Sequence, residues 1–290
     1  MSFLNQITRF VKDPPPSHLF ELSEAGVAYA HGSQTGFIPF DPGTLVASPV
    51  EDNILRGDAI VAAIDRAAPR PANRNAAKKR RPAAVILPDY AARVTVLDFD
   101  AFPPNPDEQA SLVRFRVKKT IPFDIDSAAV SYFAQPVAGE KKVEVVAVTV
   151  ALEVIARYEA LFRSAGFQPG VVTTSTLAAL NLYEGDGVSV LAKLSGRALT
   201  VAVLAGGAIK LFRCVSMEES SEPEILAVLH PTFAYVEDEL KQPVKRLVVC
   251  GVASEIVAGL KCEAETLGSR FGSPGPNNAG LLGYLKQVAN

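Results

Sequence analysis

The sequence predicts a mixed α/β fold built from two copies of one arrangement of strands and helices. A strand meander followed by alternating helices and strands runs over about 19–182, and the pattern restarts at 188. Alternation of this kind produces a mixed sheet with helices on its faces. The chain has 290 residues, of which 48% are hydrophobic, so it can bury two compact cores. We therefore expect two halves, 1–186 and 187–290, the first enlarged by a small α+β insertion at about 82–144.

The first half opens with a predicted helix and a strand pair. Apolar residues fall on one helical face before the prolines at 14–16 end that helix: Phe3, Leu4, Ile7, Phe10 and Val11. This face could rest on the protein, on a partner or on a membrane surface. Two strands are predicted over 19–30 around a turn at 24–26. The apolar spacing over 53–67 predicts a helix, for which Asp52 or Asn53 is the expected cap.

A basic, proline-bounded segment at 69–82 follows this helix. It carries six Lys or Arg residues and no large apolar residue, so it cannot bury a face. We expect a solvated loop. A basic run of this kind also leaves contact with anionic lipid or nucleic acid open.

Further strands and helices complete the predicted first half. Strands are expected at 83–87, 93–99, 129–135, 143–150 and 171–174, and helices at 106–119, 152–166 and 175–182. The helix at 152–166 is the clearest, because Leu152, Ile155 and Phe162 share one face. Gly166 suits its carboxyl end, and Ser175 is the expected cap of the next helix.

The second half repeats the pattern without an insertion of comparable size. Three strands joined by tight turns are predicted at 188–194, 198–204 and 208–215. Later elements are helices at 225–240, 254–267 and 277–288 and a buried strand at 246–250. The interval 216–245 has room for one helix and its loops, so a second inserted subdomain is expected to be missing or reduced.

Composition excludes several classes of function. The formal net charge of −2 argues against nucleic-acid binding by the chain as a whole. Three scattered cysteines predict neither a disulfide framework nor a zinc site, and the histidines lack metal-ligand spacing. No stretch approaches the roughly 18–20 apolar residues of a membrane span. We expect a cytoplasmic protein with at most peripheral membrane contact.

Several stretches resemble PilM-type type IV pilus assembly proteins, which are relatives of the cell-division protein FtsA. They are Lys-Lys-Thr-Ile-Pro-Phe-Asp at 118–124, the helix ending Ala-Gly-Phe-Gln-Pro at 165–169, the turn and helix at 248–260, and Ala-Gly-Leu-Leu at 279–282. Their order and spacing carry the resemblance, which covers nearly the whole chain. It implies an actin-like, ribonuclease-H-type fold.

The resemblance also implies a partner. In the family, a cleft between the inserted subdomain and its parent receives the cytoplasmic tail of a bitopic inner-membrane assembly protein. On this chain the matching candidates are Ile121, Pro122 and Phe123, although Phe123 in particular also suits a core position. The implied role is a cytoplasmic scaffold of a pilus or related secretion machine, held at the inner membrane through its partner. Self-association stays open.

The nucleotide site of the actin-like fold looks lost. Such a site needs two glycine-bearing hairpins, each led by an acid, to cradle phosphates. In the first hairpin, Glu21 and Gly26 stand at the wrong spacing. In the second, Lys193 replaces the metal-ordering carboxylate and Ser195 replaces the glycine that lets phosphate approach. With Gly196 and Gly251, these are vestigial positions, and we expect no catalysis, no cofactor and no metal.

Two alternative functions remain open at this point. The first is an active actin-like ATPase that switches pilus assembly, with ATP and magnesium held between Gly26, Gly196 and Gly251. The second is a cytoplasmic domain that recruits a secretion ATPase, as in type II secretion. Such domains normally continue into a membrane span.

Overall fold

The fold contains two five-stranded sheets with one topology. The computed structural model describes residues 16–32, 34–72, 80–135, 142–185, 187–260 and 262–289. The first sheet has the order β3-β2-β1-β4-β8 and consists of β1 (His18–Ser23), β2 (Gly26–His31), β3 (Gln34–Pro39), β4 (Arg81–Leu87) and β8 (Phe167–Thr174). The first three strands of this sheet pair antiparallel, whereas β4 pairs parallel with both β1 and β8.

The second sheet repeats this arrangement strand for strand. Its order is β11-β10-β9-β12-β13, and its strands are β9 (Ser189–Ser195), β10 (Ala198–Ala205), β11 (Ala208–Ser216), β12 (Arg246–Cys250) and β13 (Glu263–Thr266). The meander is again antiparallel and the last two strands are again parallel to β9 and to each other. The predicted repetition of one α/β arrangement is therefore present in the strand order.

Seven helices accompany the sheets in the described part of the chain. They are α1 (Gly57–Ala67), α2 (Pro106–Val117), α3 (Leu152–Ser164), α4 (Ser175–Ala179), α5 (Glu222–Glu239), α6 (Ser254–Val257) and α7 (Ala279–Val288). Helices α1 and α3 cover the first sheet, where Ile60, Tyr158 and Phe162 pack against Phe20. Between β11 and β12 the described helical structure is α5 alone, which agrees with a reduced second insertion.

The insertion forms a third, antiparallel sheet. Its order is β5-β7-β6, with β5 (Arg93–Phe99), β6 (Ala128–Gln135) and β7 (Val143–Ala151). One face packs with α2 through Val113 and Val117, and Phe133 and Val146 on the other face join the core of the second half. The expected bounds of 82–144 need correction at both ends, because β4 belongs to the first sheet and β7 continues to Ala151.

Several predicted element boundaries are wrong. Helix α1 begins at Gly57, and Asn53 does not cap it, because the buried Asn53 side chain instead bonds the backbone of Ser48. Ser175 starts α4 without capping it, since its hydroxyl bonds Glu21. Leu152 is 51% exposed and does not belong to the buried face of α3.

The largest error concerns the predicted helix at 254–267. Helix α6 ends at Val257, and the chain continues into β13, which pairs in parallel with β12 at the edge of the second sheet. The basic segment is shorter than predicted, because Arg81 already belongs to β4 and its guanidinium lies 3.9 Å from the centre of the Phe167 ring. The predicted N-terminal helix and residues 73–79 of that segment lie outside the described residues.

Candidate functional site

The two hairpin turns of the halves face each other at the centre of the molecule. Gly196 forms the β9–β10 turn with φ +58°, and a Cβ at this position would lie 2.9 Å from Oε2 of Glu24 in the β1–β2 turn. The Glu24 carboxylate also accepts a hydrogen bond from the backbone N–H of Ala47, at 3.1 Å. A negatively charged side chain thus occupies the space between the two turns.

Glu21 lies beneath this turn on β1 and is almost completely buried. Its Oε2 accepts a hydrogen bond of 2.7 Å from the N–H of Leu281, the third residue of α7, and its other oxygen accepts one from the Ser175 hydroxyl. A carboxylate at this position satisfies a free donor at the helix N-terminus and complements the helix dipole. Burial raises the pKa of Glu21, while the charge of Lys193 and these hydrogen bonds act in the opposite direction.

Lys193 on β9 supplies the opposite charge. Its side chain is 1% exposed, and Nζ lies 3.4 Å from Oδ2 of Asp89, which follows β4 in the first half. Asp89 in turn accepts hydrogen bonds from Thr176, at 2.7 Å from the backbone N–H and 2.6 Å from the hydroxyl. Burial lowers the pKa of Lys193, but the carboxylates of Asp89 and Glu21 outweigh it and raise that pKa. The ammonium group is therefore charged, and the ion pair joins the two halves.

Little space remains among these side chains. The cavity they line measures about 20 Å³, and Ser195 and Ala198 contribute to its wall. A volume of this size holds about one water molecule. Sites for nucleotide-sized ligands usually offer roughly 300–1,000 Å³. In this conformation the junction is a packed polar core.

Ser195, Gly26 and Gly251 also have structural roles. Ser195 donates to the Asn277 side chain at 3.1 Å. Gly251 has φ +76°, and a Cβ there would lie 2.4 Å from the carbonyl oxygen of Leu194. Gly26, at the start of β2, would place a Cβ 2.3 Å from the carbonyl oxygen of Ile38. Close backbone packing explains Gly26 and Gly251 without a ligand.

Sequence reasoning found Glu21 and Lys193 but missed their partners. Asp89, Ser175 and Thr176 complete the cluster, and Glu24 fills the gap between the turns. One local signal was available, because Asp89 and Ser175 each follow the carboxyl end of a parallel strand, where functional side chains of α/β sheets gather.

The candidate partner residues divide between core and surface. Ile121 and Phe123 are half-buried against the core of the insertion, and Pro122 is exposed. We define an apolar patch nearby as Val50, Leu55 and Leu152, which are 51%, 56% and 51% exposed. Leu152 directly follows Ala151, which pairs with Ala128 at the start of β6.

Polar contacts attach the loop that carries Val50 and Leu55 to α3. The Tyr158 hydroxyl donates to Oδ1 of Asn53 at 3.1 Å, and Arg157 pairs with Asp52 at 3.2 Å. Arg157 also pairs with Glu153. The apolar patch therefore lies where the parent sheet's helices meet the insertion, and Arg157 pairs with both acids at its edge.

Comparison with solved structures identifies the fold. The chain superposes on a chain of the PilM–PilN type IV pilus biogenesis complex with a TM-score of 0.70 at 15% identity, covering 96% of this chain and 100% of that one. The chain has the actin-like ATPase fold. A Bacteroides thetaiotaomicron protein of the actin-like ATPase fold gives 0.52 at 11% identity, covering 97% and 98%. These matches confirm the fold expected from the PilM-type resemblance.

A second relative in structure comes from a secretion system. The cytoplasmic domain of EpsL, an inner-membrane component of the type II secretion system of Vibrio cholerae, gives a TM-score of 0.53 at 13% identity, covering 94% of each chain. No family model matches the sequence, and no curated protein matches it.

Two searches of the described residues gave negative results. Among the helices in that part of the chain, none combines the length and apolar character that a membrane span requires. Over the same residues, no group of three or more His, Cys, Asp or Glu side chains is placed to hold a metal ion.

Proposed function

We propose that the protein is a non-enzymatic scaffold of a type IV pilus or related secretion machine, which binds the cytoplasmic tail of an inner-membrane assembly protein. The observation that carries the proposal is the buried cluster of Glu21, Asp89 and Lys193, which fills the junction where an actin-like ATPase would hold phosphate. Similarity in fold to a chain of the PilM–PilN complex supports the class of machine.

Charge opposes nucleotide binding at this junction. Phosphate groups would meet the carboxylates of Glu24, Glu21 and Asp89 in a region of low dielectric constant, where repulsion between like charges is strong. Turning Lys193 toward a phosphate would leave Asp89 buried without its counter-charge, which is strongly unfavourable. The alternative role as a nucleotide-switched ATPase therefore requires both a new cavity and a rearranged ion pair.

The tail would bind at the apolar patch, beside Ile121, Pro122 and Phe123. The patch exposes three large aliphatic side chains between the insertion and its parent, and exposed apolar surface of this kind commonly marks an interaction site. Asp52 and Glu153 at its edge are both paired with Arg157. A tail segment with apolar anchors fits this surface. Through such a tail the protein would sit at the cytoplasmic face of the inner membrane.

Fluorescence anisotropy with labelled tail peptides tests this role. Peptides would cover the cytoplasmic tails of the bitopic membrane proteins encoded with the pilus and secretion genes of the same organism. We expect micromolar binding of one tail and at least tenfold weaker binding by Leu55→Asp or Leu152→Asp. Phe115→Ser is the matched control, because Phe115 is 65% exposed but belongs to α2 and not to the patch. Equal binding by all variants would contradict the assignment of the patch.

Similarity to the EpsL cytoplasmic domain favours one second candidate, recruitment of a secretion ATPase. This role predicts that the immobilised chain retains the ATPase itself from a purified mixture. Under the scaffold role, the immobilised chain retains the tail peptide, and unlabelled tail displaces it.

A further inference from the structure

A groove of about 520 Å³ lies where the insertion meets the second half. Two edge strands border it, β5 of the inserted sheet and β11 of the second sheet. Apolar walls come from Val94, Val96, Phe212 and Leu240. The volume falls in the usual range for ligand sites. None of these residues belongs to the apolar patch.

A row of polar residues crosses the inserted sheet at one end of this groove. Asp98, Glu144 and Gln135 stand directly opposite one another on β5, β7 and β6. Gln135 is fully engaged, because its side chain donates to the Ile209 carbonyl at 2.8 Å and accepts from the Ile209 N–H at 2.7 Å. Asp98 and Glu144 form a pair of like charges opposite each other, which is destabilising unless a cation offsets it.

Glu144 is only partly satisfied. The residue is 8% exposed, and its Oε1 accepts a 2.8 Å hydrogen bond from Nζ of Lys210. Its Oε2 is buried and has no hydrogen-bond partner among the residues that the structure describes. A buried carboxylate oxygen without a donor is unfavourable, so a charged donor that reached this atom would stabilise the carboxylate.

Two more carboxylates lie in the groove without partners. In the part of the chain that the structure describes, the side chains of Asp98 and Glu239 form neither an ion pair nor a hydrogen bond. Burial raises the pKa of Tyr235, and the charges of Asp98, Glu239 and Glu144 raise it further.

The cations of the groove do not balance these acids. Among the described residues of its lining, Lys142 and Lys210 carry ammonium groups, against three carboxylates. Lys210 is committed to Glu144, at 2.8 Å. The groove thus combines excess negative charge with apolar walls.

We propose that this groove binds the guanidinium group of an arginine side chain carried by a partner polypeptide. The planar fork of a guanidinium can bridge two carboxylates, so it would relieve the repulsion between Asp98 and Glu144. The apolar walls would contact the aliphatic stem of the same side chain. This contact is a second interaction point, separate from the apolar patch, and it does not depend on the identity of the proposed tail.

A titration followed by NMR tests the proposal with a defined probe. N-acetyl-arginine amide would be added to the ¹⁵N-labelled full chain, with N-acetyl-citrulline amide as the uncharged isostere. We expect millimolar binding of the arginine probe, with shifts confined to β5, the start of β11 and the end of α5. The citrulline probe is expected to give no such shifts.

Charge-removing variants complete the test. Asp98→Asn combined with Glu239→Gln should weaken binding of the arginine probe at least tenfold, whereas Glu237→Gln on the same helix should leave it unchanged. Both carboxylates are exposed, so the double variant is expected to keep the wild-type spectrum elsewhere. The proposal would be overturned by any of three results: chemical shift changes only outside the groove, equal binding of the citrulline probe, or unchanged affinity of the double variant for the arginine probe. Tail-peptide binding is measured separately, so failure of one result leaves the other intact.

Discussion

Two charged regions of this protein differ in how completely their groups are paired. At the junction of the halves, Glu21, Asp89 and Lys193 satisfy one another and nearby donors around a cavity of about 20 Å³. In the groove beside β5, which measures about 520 Å³, Asp98 and an oxygen of Glu144 have no partner in the described part of the chain. A fully paired buried network holds a structure in place, whereas unpaired charge beside open space marks a surface for a ligand. Under both of our proposals, binding takes place at the periphery of the fold and not at the packed junction.

Breaking the junction pair should produce the largest effect on stability. Lys193→Met keeps most of the side-chain volume but leaves Asp89 buried without a counter-charge. We expect a loss of about 3–5 kcal/mol in the free energy of unfolding, measured by urea denaturation. Adding Asp89→Asn to Lys193→Met should recover part of that loss, because the remaining charge is removed. A loss below about 1 kcal/mol would show that the pair does not hold the halves together.

Replacing Glu21 should produce the second largest loss of stability. Glu21→Ala removes the acceptor for the Leu281 N–H and for the Ser175 hydroxyl, and hydrogen bonds to charged groups contribute about 1.5–3 kcal/mol. We expect a loss of about 2–3 kcal/mol, with faster amide hydrogen exchange in the first turn of α7. Unchanged exchange in α7 would contradict the role of Glu21 at that helix end.

A smaller effect is expected in the pH dependence of stability, which His18 at the start of β1 influences. His18 stacks on His31 with ring centres 4.1 Å apart, and burial, with His31 and Arg81, lowers its pKa from 6.5 to about 4. As the pH falls, the imidazole of His18 therefore becomes protonated in the unfolded chain before it does so in the folded chain. Stability from His18 is complete above about pH 6.5 and is lost as the pH falls toward 4. In His18→Phe, denaturation midpoints should decline less over that interval, and an unchanged decline would refute the assignment.

The smallest loss of stability is expected for an ion pair that, like the pair at the junction, joins a lysine to a carboxylate, but whose carboxylate is exposed to solvent. Lys286 on α7 pairs with Glu184, whose side chain is 79% exposed. Lys286→Ala should leave the free energy of unfolding almost unchanged, because water screens a pair whose carboxylate is so exposed. A loss as large as that of Lys193→Met would mean that burial does not separate the two pairs.

The sequence predicts most of the fold because its strands and turns follow local patterns. Strand β13 is not predicted because its sequence, Glu-Ala-Glu-Thr, contains no buried residue and so has no apolar pattern. It forms a strand by pairing with β12. The start of α1 is missed because Asn53 is held by tertiary contacts, including the Tyr158 hydroxyl.

The site is predicted less completely than the fold. Glu21 and Lys193 stand out in the sequence because they depart from the hairpin pattern expected of an actin-like nucleotide site. Their partners are distant in sequence, at 104 residues between Lys193 and Asp89 and 260 between Glu21 and Leu281. No local pattern specifies which acid a buried lysine will meet, so the pairing emerges only in three dimensions.

Isothermal titration calorimetry of the purified chain with ATP and magnesium tests the central claim most directly. The account predicts no heat of binding at millimolar ATP, because Glu24 and the Lys193–Asp89 pair fill the phosphate position. Micromolar binding that is abolished by Gly196→Val would contradict it and would make the protein a nucleotide-switched assembly factor.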